Sequence, residues 1–243
     1  SHPFIRFAKH PLTPLPEERT MHIDEAQLPF ETAWEGELAP PGGVFAKGDG
    51  LPTVSLGRPV WWSDGKILGE KWVPPAGGRR YGLARFAFSL RPSARQEVKR
   101  VEFVVHLHAK GSGPRPLVFD LFPKAVTEEQ TGTRTVGLDP KFKFVDAVEV
   151  SGLKAETTIN VRQAVPVITA DGVGESVARW VFQSRPAHPL VGSQSAYVVV
   201  ELPPGVEAAR ASLLLSAEVT TRFGPMRGLL PEAERERLSW VLE

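Results

Sequence analysis

The chain has 243 residues, enough for one large domain or two small ones, and its 42% apolar and 23% charged composition is that of a folded globular protein. Lys and Arg total 29 against 28 Asp and Glu, and a net charge of +1 lacks the basic excess with which nucleic-acid binders neutralise phosphate. The absence of cysteine excludes disulfides, thiolate metal sites and a cysteine nucleophile, and fits a reducing, cytoplasmic compartment.

In chain order, residues 1–75 read as an irregular strand and loop region packed on a main sandwich, or as a small β subdomain of its own. The runs at 4–8, 19–23, 29–34, 52–56 and 59–62 are short strand candidates, and the prolines among them confine these to edges and loops. The chain opens Ser-His-Pro with neither an initiator methionine nor a charged-then-apolar leader. Residues 76–229 carry the clearer pattern. Ala84, Phe86, Phe88 and Leu90 alternate with Arg85, Ala87 and Ser89, and Val101, Phe103, Val105, Leu107 and Ala109 share one strand face. Leu117, Phe119 and Leu121 repeat the pattern, and further runs follow at 142–150, 157–163, 165–169, 178–184, 196–202 and 211–223. The 22 glycines and 23 prolines fall largely between these runs, with no long helical pattern among them. An all-β fold follows: an antiparallel β-sandwich of roughly ten strands with long Pro/Gly-rich loops. At 230–243, Pro231 and the acids behind it open a predicted amphipathic helix with Leu230, Leu238, Val241 and Leu242 on its apolar side. That stripe is still apolar at Val241 and Leu242, where the sequence stops one residue later, so the protein is expected to continue or to complete the face with a partner. No apolar run is long enough for a transmembrane helix.

Two candidate sites emerge. His106 and His108 project from the polar face of their strand, since Phe103, Val105 and Leu107 take the other. If 116–122 forms a hairpin with that strand, matching the apolar faces brings Asp120 beside the imidazoles, a two-His, one-carboxylate set able to hold a divalent metal in a metal-dependent enzyme. The plainer alternative is a pair of surface histidines with no cofactor, and that is the expectation. Trp61 and Trp62 are adjacent on a strand and must point to opposite faces, and with Trp72 they offer an indole platform for carbohydrate or a share of the core. The nearly continuous apolar run 196–202 demands burial on both faces.

No nucleophile elbow, P-loop, dinucleotide fingerprint or HExxH stands in the sequence. The chain therefore reads as a non-enzymatic recognition or assembly module, a binding module in protein–protein interaction as part of a larger chain or complex. A carbohydrate-binding sandwich and the metal-dependent enzyme are the alternatives. The expected partner is a protein or a further domain of the same chain, and nucleic acid is not expected.

Overall fold

The computed structural model describes residues 21–42, 50–68, 77–126, 133–146, 157–162 and 167–243. Its strands in chain order are β1 (Met21–Asp24), β2 (Thr32–Glu37), β3 (Thr53–Gly57), β4 (Val60–Ser63), β5 (Arg80–Arg91), β6 (Glu97–Ala109), β7 (Leu117–Phe122), β8 (Ala125–Val126) and β9 (Thr133–Leu138). They continue as β10 (Phe144–Asp146), β11 (Thr157–Arg162), β12 (Val167–Asp171), β13 (Val177–Gln183), β14 (Gly192–Leu202), β15 (Ala209–Thr221), β16 (Gly224–Leu229) and β17 (Ser239–Leu242). A 3-10 turn at Glu25–Gln27 and two short helices, α1 (Asp64–Leu68) and α2 (Glu232–Arg235), complete the elements. None of these helices is long and apolar enough to cross a membrane.

The protein is all-β, and its strands build three sheets. A seven-stranded sheet runs β16-β15-β6-β13-β12-β8, with β17 also on β15, and a six-stranded sheet runs β2-β3-β5-β14-β7, with β4 also on β5. These two face each other over the main core, formed by Val101, Phe103, Val105 and Leu107 of β6, Ala84, Phe86, Phe88 and Leu90 of β5, and Trp180 and Phe182 of β13. The period-two pattern of these strands is the physical reason: alternate side chains of each leave water together.

A third layer covers the outer face of the six-stranded sheet. The small sheet β1-β11-β9-β10, with β1 parallel to β11, lays Ile23, Val136, Leu138, Phe144, Ile159 and Val161 over Tyr81, Leu83, Phe122, Tyr197 and Val199. Both faces of β14 are thereby buried, as the continuous run 196–202 requires. The segment 21–68 is woven into the same sheets as the rest: β1 joins the small sheet, and β2, β3 and β4 join the six-stranded one. The candidate strand at 4–8 lies outside the described residues.

Two expectations are corrected. Residues 230–243 do not form a long helix. One short helix at Glu232–Arg235, without a side-chain N-cap, gives way to β17, which pairs Ser239–Leu242 with the edge of β15 at Ala209–Ser212. Leu230, Leu238 and Leu242 are buried as the apolar stripe demanded, but Leu242 is delivered by an extended strand that also satisfies an otherwise open edge. The second correction concerns β7. It pairs with β14 and not with the histidine strand, whose neighbours are β13 and β15. A bulge opposite Val199 and Val200 breaks its alternation, so Val118 and Leu121 enter the main core while Phe119 packs on the second one.

Candidate functional site

The outward face of the seven-stranded sheet holds the histidines. His106 lies between Ser212 of β15 and Val177 of β13, and His108 lies opposite Arg210. The two rings are nearly parallel, 10° apart in plane and 6.4 Å between centroids. Val104, one step along the same face, has Leu214 on one side and Arg179 on the other, and Arg179 Nε stands 3.2 Å from a Glu102 carboxylate oxygen. Leu214 is 36% exposed, which is high for a leucine in the middle of a sheet. An apolar centre of Val104, Leu214, Val177 and Val181 thus sits among His106, Arg179, Glu102 and Arg210. Partial burial, the neighbouring His108 and the Arg179 guanidinium together push the His106 pKa below the ordinary histidine value.

Asp120 is elsewhere. It is buried on the side of the six-stranded sheet that faces the small sheet, where one carboxylate oxygen accepts the Phe144 backbone N–H at 2.7 Å and the other meets Lys124 Nζ at 2.9 Å. The bulge and the pairing with β14 put it there, so the structure brings His106 and His108 together without it. Among the described residues no group of three His, Cys, Asp or Glu is placed to hold a metal ion.

Trp61 and Trp62 point to opposite faces of β4, as adjacent strand residues must. Each is half-buried: Trp61 packs on the main core, its ring over Gly82, and Trp62 packs on the second core. Trp72 lies outside the described residues.

A second polar cluster had no counterpart in the sequence reading. Arg85 and Tyr197, paired directly across β5 and β14, face the 3-10 turn that follows β1. Glu25 from that turn approaches Arg85 Nε at 3.7 Å, and the two side chains are only 13% and 7% exposed. Arg85 Nε, one Glu25 carboxylate oxygen and the Tyr197 hydroxyl have no hydrogen-bond partner among the described residues. Burial raises the Glu25 pKa, against the pull of Ser195 and Arg85, and burial with the nearby Glu25 charge raises that of Tyr197. Alternation alone places Arg85 opposite the apolar face of its strand, and its burial follows from the pairing with β14 and the covering turn.

These features define an all-β sandwich in which β5 and β14 of the six-stranded sheet are buried on both faces and whose seven-stranded sheet presents a mixed apolar and ionisable outer face. No family model and no curated protein matches the sequence. Among solved structures, a pore forming protein is similar over 82% of this chain and 92% of its own, with 8% identity and a TM-score of 0.38. The Clostridium perfringens delta-toxin is similar over 78% of this chain and 88% of its own, with 12% identity and a TM-score of 0.35. A likeness at this level says nothing of what the present chain binds or does.

Proposed function

We propose that the protein is a non-enzymatic recognition or assembly module that engages a protein partner through the outer face of its seven-stranded sheet. One observation carries the reading: Leu214 and Val104 form an apolar centre on that face, ringed by Arg179, Glu102, His106 and Arg210. An apolar centre that a partner can dehydrate, inside a rim of charges that fixes its orientation, is the arrangement of a protein interface. On the opposite large sheet, the small sheet covers the corresponding outer side of β5 and β14 around Leu83, Tyr197 and Val199.

The test is photo-crosslinking from position 214, with Leu214 replaced by a photoreactive amino acid in the cells that make the protein. A single discrete adduct is expected, and it should disappear when Arg179→Glu reverses the rim charge, while far-UV circular dichroism stays unchanged. A smear that Arg179→Glu leaves intact, or substrate turnover by the purified monomer, would overturn the reading.

A further inference from the structure

Three connections meet at one end of the two large sheets. Thr220 pairs with Glu97, which sets the turn at 222–223 beside the start of β6 and the 92–96 turn that precedes it. Gln183 pairs with Arg100 and Gly192 with Leu90, which brings the 184–191 loop to the same end. These connections carry Arg95, Arg185, His188 and Arg222 and no carboxylate. Behind them, Glu35, Glu97 and Glu218 are each ion-paired, with Arg91 at 2.7 Å, Lys99 at 2.5 Å and Arg100 at 3.0 Å. Glu37, at the end of β2, is the further described acid at this end.

Apolar side chains project from the same connections. Phe223 is 61% exposed at the tip of the β15–β16 hairpin, and Val191 is 54% exposed where its loop enters β14. The tip is braced: the buried Thr221 hydroxyl accepts the Phe223 backbone N–H and donates to the Gly224 carbonyl, both at 3.1 Å. Gly224, at φ 108°, supplies the left-handed residue that the tight turn needs. The Arg222 guanidinium lies 4.5 Å from the Phe223 ring centroid, beside the ring it would accompany to an interface.

We infer that this end of the sandwich docks on an anionic lipid surface, with Phe223 and Val191 entering the headgroup boundary and Arg95, Arg185 and Arg222 meeting lipid phosphates and carboxylates. The chemistry favours lipid over other polyanions. Single apolar tips held rigidly outward find little to bury against on a nucleic-acid backbone, but a headgroup region accepts an aromatic ring and its flanking cations together. A protein partner would call for a contiguous apolar patch, and these tips stand on separate loops. The surface is distinct from the sheet face proposed for protein contact, so either can fail alone.

The experiment is co-sedimentation of the full chain with vesicles of phosphatidylcholine, with and without phosphatidylserine. Binding is expected only with phosphatidylserine and should fall as salt rises. Each of Arg95→Ser, Arg185→Ser and Arg222→Ser should weaken partition about fivefold, and Phe223→Ser should weaken it by a comparable factor. All four side chains are exposed, so melting temperatures should match the parent, and Leu214→Glu should leave vesicle binding intact. Equal partition on both vesicle types, or partition indifferent to Phe223→Ser, overturns the assignment. So does retention on heparin with no binding to phosphatidylserine vesicles, which would make the arginines a general polyanion site.

Discussion

Arg85 is the residue on which the chemistry of this protein most departs from its surface appearance in the sequence. Its partner Glu25 is mostly buried, and the two charges stand 3.7 Å apart without a hydrogen bond. Removing one member of a buried pair strands the other, so Arg85→Met should cost about 3 kcal/mol near neutral pH, measured by urea denaturation. Glu25→Gln in the same background should recover most of that loss. The sign with pH follows from the raised Glu25 pKa: the fold favours the protonated acid, so the contribution of this group is greatest below the unfolded value of 4.5 and is lost as pH rises through the higher folded value. The deficit of Arg85→Met should therefore shrink on acidification, because protonated Glu25 needs no counter-charge. His106 behaves in the opposite sense. Its folded pKa lies below 6.5, so its contribution is present above that value and lost as pH falls through the folded pKa. Across that window the parent should lose melting temperature faster than His106→Gln does.

At the scale of elements, short strands are placed by what they cover. β3 and β4 lie in line along one edge of β5, and β16 and β17 lie in line along one edge of β15. β4 is seated by a glycine: a Cβ at Gly82 would come within 2.0 Å of the Trp61 ring. Gly82→Ala should thus expel the indole from the main core, lowering stability by about 2 kcal/mol and shifting tryptophan emission to the red. β7 makes the complementary point, since its bulge puts Phe119 and Asp120 on the same side of the sheet, where strict alternation would separate them.

For the whole molecule, the third layer decides which surfaces remain for binding. The small sheet removes the outer side of β5 and β14 around Leu83, Tyr197 and Val199 from solvent, whereas among the described residues Leu214 on the outer face of the seven-stranded sheet and Val191 and Phe223 at one end of the sandwich are exposed. The chain changes sheets between β7 and β8 at the cis Phe122–Pro123 peptide, where Trp180 Nε1 donates to the Pro123 carbonyl at 3.1 Å, tying the two large sheets at that corner. At the opposite side, Ala39 and Leu229 exchange backbone hydrogen bonds of 2.8 Å, joining the segment after β2 to β16. The main core is thus tied by a backbone bridge on one lateral side and by an indole on the other.

The sequence by itself determined the fold class, the position of most long strands and the inward set of β5 and β6. Those follow from a local rule, period-two burial, which needs no knowledge of the partner strand. It also determined that β14 would be buried on both faces and that adjacent tryptophans would divide between two sides. Only the tertiary structure decided which strands pair, and with that the separation of Asp120 from His106 and His108, the extended course of 239–242 and the burial of Arg85 beneath Glu25. Each depends on a contact between residues far apart in the chain, where a free sheet edge or a covering layer outweighs local propensity by more than the pattern of any single segment can record.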